Sequence, residues 1–160
     1  GKWTTCRQIA FDTLQAVEVV LEKQLPPPKS IPVLGSHPSP QKTSDLLFKQ
    51  QEELKQYLAN SELQAKQIAH LQSNYGLQAL SIIAASTPEE RVPLSPIIPI
   101  CHAEIQHTIR HEHALSTNDV LSRRCRLAMV DIEEAKRLVP LVEEHLDNNS
   151  DCFDELDLTQ

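Results

Sequence analysis

Prolines divide this chain more firmly than any other feature. The sequence carries eleven, and ten of them fall in two groups: Pro26, Pro27, Pro28, Pro32, Pro38 and Pro40, then Pro88, Pro93, Pro96 and Pro99. A proline ring gives up a backbone donor and collides with the turn before it, so no helix interior or central strand passes through either group. The stretches outside them carry apolar residues at helical spacing. Hydrophobic residues make up 40% of the 160, but aromatic ones only 4%. The core therefore has to be built from Leu, Ile, Val and Ala, which favours packed helices. A chain of this length buries one core and suits one domain better than two. The expected fold is mostly α.

The first helix is expected over residues 5–23, where Ile9, Leu14, Val17 and Leu21, with Ala10 and Val20 beside them, form one apolar stripe. The first proline group ends it and reads as a connecting loop, with a boundary near residue 42. From Ser44, Leu47, Gln51, Leu54 and Leu58 share a helical face; Asn60 and Ser61 end that helix and cap another carrying Leu63, Ile68 and Leu71. Asn74-Tyr75-Gly76 is a stop, because glycine takes the left-handed conformation that closes a last turn. A short helix follows with Leu77, Leu80, Ile83 and Ala84. Thr87-Pro88-Glu89-Glu90 is an N-cap signature, with proline where the missing N–H costs nothing. Residues 91–100 are expected to run extended across the bundle, with Ile97, Ile98 and Ile100 buried. Helices are then expected over 104–115, from Ser116-Thr117 to about Val130, and from the capping box Asp131-Ile132-Glu133-Glu134 onward. The last has Leu138, Leu141, Val142 and Leu146 as apolar positions and Pro140 as a candidate kink. From Asp147 on, five acidic and no basic residues in fourteen suggest a solvated, frayed tail.

A formal charge of −7 argues against general affinity for nucleic acid or anionic membranes, since both need a basic surface. Cys6, Cys101, Cys125 and Cys152 lack the short paired spacing of a zinc site or a disulfide framework, and read as scattered thiols in a reducing compartment. No apolar run approaches the ~20 residues that span a bilayer. Neither a signal nor a transit peptide is recognisable, and the opening reads as mid-protein, so targeting stays open.

Two stretches carry the chemical signal. At the start, Gly1-Lys2-Trp3-Thr4-Thr5-Cys6-Arg7 sets a lysine and two threonines at a helix beginning, where unpaired N–H groups and the positive dipole end favour an anionic or electron-rich atom. Downstream lie Ala103-Glu104-Ile105, Ile109-Arg110-His111-Glu112 and Asp119-Val120-Leu121-Ser122-Arg123-Arg124-Cys125-Arg126-Leu127-Ala128. The opening resembles the Gly-Lys-Trp-Thr-Thr-Tyr-Arg element that closes the FAD-binding domain of FAD-dependent glycerol-3-phosphate dehydrogenases. The downstream stretch is similar to the C-terminal signature of that family, in the same order and at a plausible separation.

That resemblance implies a helical C-terminal domain preceded by the last helix of an FAD-binding domain. Residues 1–25 would end the FAD-binding domain, 26–42 form the connecting loop, 43–146 the helical domain and 147–160 a disordered acidic tail. The whole enzyme would oxidise glycerol 3-phosphate to dihydroxyacetone phosphate, with hydride passing to flavin and electrons to quinone. It would sit peripherally on the mitochondrial inner membrane, or otherwise in the cytoplasm. Lys2, Thr4 and Thr5 would face the flavin, Lys2 also as an electrostatic contact for flavin or substrate. Cys6 stands where the family has tyrosine. The partner implied is an N-terminal FAD and substrate domain. The 160 residues have no Gly-x-Gly-x-x-Gly turn and no strand-rich half, so alone they are expected neither to hold FAD tightly nor to turn over.

Three further groups have a structural and a functional reading. Glu104, His107 and His111 share a helix face at ligand spacing, with Glu112 and His113 following, but no zinc-hydrolase motif or second ligand pair accompanies them, and no metal is expected. Arg123, Arg124 and Arg126, with Arg110 before them, suit phosphate recognition; the structural reading has them pair with Glu104, Glu112 or Asp119 and fasten the domain. Asp147-Asn148-Asn149-Ser150-Asp151-Cys152 copies the start of a calcium loop, but Cys152 replaces its glycine and Leu158 its bidentate glutamate. The rival classes are a stand-alone helical interaction module without catalysis and a small metal-dependent enzyme centred on His107 and His111.

Overall fold

The computed structural model describes residues 2–27, 29, 31 and 33–149, and among these it contains seven α-helices and no strand. The acidic stretch from residue 150 onward, including Asp151, Cys152 and Leu158 of the calcium-loop comparison, lies outside the described residues. Two compact units make up the chain, Gly1–Ile31 and Pro32–Gln160.

In the first unit a 3-10 turn, Trp3–Thr5, runs into α1, Cys6–Leu21. Thr5 does not cap that helix. Its hydroxyl donates back to the Lys2 carbonyl at 2.9 Å, and its backbone is helical (φ −107°, ψ −1°) and not in the extended conformation of a capping residue. Glu22 ends α1 in the left-handed conformation, and the Glu18 carboxylate accepts from the Leu25 N–H at 2.8 Å just before the prolines. No residue of α1 is buried, and Ile9, Leu14, Val17 and Leu21 are all exposed.

The second unit begins inside the proline group. Residues 33–39 are folded: a turn joins Ser36 N–H to the Val33 carbonyl, and His37 N–H donates to Thr43 Oγ1 at 2.9 Å. These bonds start α2 earlier than the periodicity indicates, at Pro40–Tyr57, with proline in the first turn. Next come α3, Gln64–Tyr75, a 3-10 turn at Gly76–Gln78, and α4, Ala79–Ala84. Gly76 closes α3 at φ 55°, ψ −128°, a region for glycine rather than the ordinary left-handed cap. The reason is a backbone crossing. Leu77 N–H donates to the Gly35 carbonyl at 2.8 Å, and a Cβ on Gly35 or Gly76 would lie 2.3 Å or 2.2 Å from a carbonyl oxygen of the other segment.

Thr87 and Glu90 cap each other across the 3-10 turn Glu89–Arg91. Residues 92–100 have no regular structure; Ile100 is buried and Ile98 packs partly, but Ile97 is 37% exposed. Then follow α5, His102–Glu112, a π-helical turn Asp119–Arg124, α6, Leu127–Val130, and α7, Ile132–Asp147. The single helix expected over 116–130 is thus broken. Cys125 N–H reaches back to the Val120 carbonyl and Arg126 turns left-handed at φ 62°, where Arg124 is tied to the end of α5. Asp131 caps α7 by accepting from Glu134 N–H at 3.0 Å, and the helix continues through the exposed Pro140.

Two apolar clusters share α5 as their common wall. Leu54, Ile68, Leu71 and Ile83 meet Ala103 on one side; Val120, Leu127, Leu138 and Val142 meet Ile105 and Ile109 on the other. Each such side chain contributes about 1.5–3 kcal/mol on burial. Buried glutamines tie the helices across these clusters: Gln50 Nε2 donates to the Leu77 carbonyl and Gln67 Nε2 to that of Arg91.

Candidate functional site

At the start of α1, Lys2, Thr4 and Thr5 are exposed, and no side chain caps the helix. The 3-10 turn that runs into α1 supplies acceptors within the segment, with Thr5 N–H donating to the Lys2 carbonyl at 3.0 Å. Cys6 is exposed beside them, and the Arg7 guanidinium stacks on Phe11, 5.4 Å from the ring centre.

The second concentration of functional groups is α5. Glu104 sits at its third position and is fully buried. One carboxylate oxygen accepts from Cys101 N–H at 3.1 Å, closing a capping box in which cysteine takes the usual serine place; the other meets His70 Nε2 at 2.7 Å. Asn74 reaches the same imidazole from the next turn of α3. Glu104 is thereby consumed as a tie between α3 and the start of α5, and does not join His107 and His111 as a ligand. Those two rings stack 4.9 Å apart, with the Tyr75 ring edge-on to His107 at 5.4 Å. Burial, outweighing the nearby Glu112, pulls His107 below its usual range, so it stands neutral at physiological pH. Burial, then Glu104 and Glu112, drives the Tyr75 phenol far above its usual range. Cys101 is raised by burial and then by Glu104, and Cys125 is pushed up to about 11 by burial, so both stay thiols. Among the described residues no group of three or more His, Cys, Asp or Glu is placed to hold a metal.

An open cleft of about 560 Å³ runs along α4 and α5, lined by Ser81, Ile82, Gln106, His107, Arg110 and His111 among others. It offers hydrogen bonds and cationic donors. Its lining carries both signs of charge, Arg110 beside Glu90 and Glu112.

The arginines divide. Arg123 pairs with Asp119 one turn away, while Arg124 bridges to the Glu112 carboxylate at 3.3 Å and donates to the Glu112 carbonyl, closing the end of α5. Arg110 donates to Asn149 Oδ1 at 2.8 Å, and Arg126 lies exposed on its left-handed residue. Sequence reasoning missed His70, Tyr75, His102 and His145. A glutamate three residues after Cys101 is a readable capping signal for Glu104, but its partner 34 residues away has none.

The chain as a whole is similar to known proteins. The family model described as the C-terminal domain of alpha-glycerophosphate oxidase matches residues 28–151. The protein named glycerol-3-phosphate dehydrogenase SDP6, mitochondrial, of Arabidopsis thaliana is 29% identical over 91% of this chain and 24% of its own length. The human protein named glycerol-3-phosphate dehydrogenase, mitochondrial, is 28% identical over 90% of this chain and 19% of its own. Glycerol-3-phosphate dehydrogenase 1 of Mycobacterium tuberculosis (strain ATCC 25618 / H37Rv) is 34% identical over 48% of this chain and 15% of its own. The chain thus spans less than a quarter of the length of the relatives it matches. No solved structure matches it. With the family model covering more than half of the chain, this protein belongs to the family of the C-terminal domain of alpha-glycerophosphate oxidase.

Proposed function

We propose that the chain serves as the C-terminal helical part of an FAD-dependent glycerol-3-phosphate dehydrogenase, completing and bracing a redox site built mostly by residues outside these 160. The whole enzyme oxidises glycerol 3-phosphate to dihydroxyacetone phosphate and delivers electrons to quinone. The observation that carries this reading is the family match over 28–151 in a chain whose opening holds Lys2, Thr4 and Thr5 at an uncapped helix start.

In this reading residues 1–25 belong to the FAD-binding layer, 26–42 connect, and 43–146 form the helical domain. The residues at the start of α1 suit a flavin: the positive end of the helix dipole and the exposed Lys2 favour an electron-rich ring edge. FAD supplies the hydride acceptor when bound. This chain holds Lys2 at the helix start, while the Glu104–His70 tie and the Arg124–Glu112 bridge brace the helical unit internally. The relatives named mitochondrial support a place in mitochondria, and a peripheral position on the inner membrane is what the family resemblance implies; among the described residues no helix is long and apolar enough to cross a membrane.

The test starts with the coding sequence upstream of Gly1, expected to encode a strand followed by Gly-x-Gly-x-x-Gly. The protein so encoded should be yellow and reduce a dye on addition of glycerol 3-phosphate, and the 160 residues alone should do neither. A start codon beside Gly1, or yellow colour and turnover in the isolated chain, overturns the reading. The exposed stripe of α1 favours the second reading, a helical interaction module without catalysis; a stoichiometric complex with a protein carrying no flavin would move it forward.

A further inference from the structure

Two contacts fasten the end of α7 to α5. His102 Nδ1 meets His145 Nε2 at 2.7 Å, with ring centres 5.0 Å apart and planes tilted by 53°. One turn on, Arg110 Nε donates to Asn149 Oδ1 at 2.8 Å, while the buried Asn149 donates its own amide to the His145 carbonyl at 2.7 Å. The contacts are linked through one turn of helix: His145 holds Asn149, and Asn149 holds Arg110. The charged groups around the pair are Glu90 from the 3-10 turn, Arg110 from α5 and Glu144 from α7. Asp147, on the same last turn, is itself engaged.

We propose that the His102–His145 pair is a proton-operated clasp, closed near neutral pH and opened by acid, that holds the end of α7 against α5. A bond between two ring nitrogens needs one to carry hydrogen and the other to present a bare lone pair. The neutral pair meets that condition. So does the pair with one added proton, in which an imidazolium donates to an imidazole. A second proton does not: both facing nitrogens then carry hydrogen, and two positive charges meet at the 2.7 Å contact. Glu90 and Glu144 draw the second proton in. Burial, followed by His102 and then by the more weakly acting Arg110, keeps it away from His145, which is thereby held below the usual histidine range. Opening therefore belongs to the acid side of the ordinary histidine value of about 6.5.

The geometry gives the opening two consequences. The last turn of α7, through Asn149, is released from α5. Arg110, which lines the cleft along α4 and α5, loses its Asn149 partner and turns an uncommitted guanidinium toward that cleft. Acid would thus change both whether the end of α7 is held and how cationic the cleft is.

The experiment is amide exchange and imidazole titration by NMR on the 160-residue chain. Corrected for intrinsic rates, protection of residues 145–149 should fall about tenfold or more between about pH 7 and about pH 5, while Ile105 and Ile109 keep theirs. The two imidazoles should take up their protons in two separate steps. In His145→Gln the facing group no longer titrates, so the end of α7 should be closed at both pH values or open at both; His102→Gln serves the same purpose if the first variant does not fold. Unchanged protection at low pH overturns the proposal. So does simultaneous loss at Ile105, which would mean global unfolding, or acid loosening that persists in the glutamine variants.

Discussion

Truncating Glu104 to alanine should cost more than any other single change to a charged residue in the helical unit. The carboxylate is fully buried, accepts from the Cys101 amide at 3.1 Å and is paired with His70 at 2.7 Å. Losing the charge-assisted bond to His70 costs about 1.5–3 kcal/mol, and leaving the buried Cys101 N–H without an acceptor costs about 1–3 kcal/mol. Part of this is returned, because a charge no longer has to be desolvated, so the net is about 3 kcal/mol. Against a total stability of about 5–15 kcal/mol, that is a large fraction. With a urea slope of about 1–3 kcal/mol per molar, the midpoint should fall by about 1.5 M at unchanged slope, read by far-ultraviolet circular dichroism. Glu104→Gln retains an oxygen for Cys101 and should lose about half as much. A midpoint for Glu104→Ala within about 0.3 M of the parent would refute the view that this acid ties α3 to α5.

Gly76→Ala meets both a positive φ and the Gly35 carbonyl at 2.2 Å, so it should destabilise by at least about 2 kcal/mol in the same assay. Arg124→Ala removes the ion pair and the bond to the last carbonyl of α5 and should cost about 1–2 kcal/mol. Arg123→Ala, at an exposed pair with Asp119, should cost about 0.5 kcal/mol or less, and equal effects would contradict the geometry. Asp119 is held at about 2 by Ser116, Arg123 and the Leu115 N–H. A carboxyl depressed in the folded state stabilises above its unfolded value of about 3.9 and loses that contribution as pH falls toward the folded value. Asp119→Asn should therefore flatten the acid limb of thermal stability between about pH 4 and pH 2, while at neutral pH stability falls by a constant amount with its pH dependence unchanged.

Local chemistry made much of the helical frame readable. Thr87 and Glu90, Asp131, and the stop at Gly76 are signals spelled out within four residues, and each is used by the fold. What escaped depends on residues far apart in sequence. Thr5 is a good capping residue, but the 3-10 turn it belongs to holds its backbone out of the extended capping conformation. The break at Arg126 interrupts a plausible helix where Arg124 is held by Glu112. The spacing of Glu104, His107 and His111 suggests three ligands on one face, yet Glu104 points to His70, which lies on another helix. The pairing of His102 with His145 spans 43 residues and has no periodic signal at all.

The crossing of Gly35 over Gly76 sets where this domain can be cut. It is made by backbone on both sides, so the neighbouring side chains can drift while the two glycines stay. Cleavage in the stretch between the end of α1 and residue 33 would leave the pin in the helical unit. Cleavage after Gly35 would strip it away and uncover the turn at the end of α3. A recombinant domain begun at residue 33 should accordingly outlast one begun at residue 40 under limited proteolysis, although both contain every α-helix from α2 to α7.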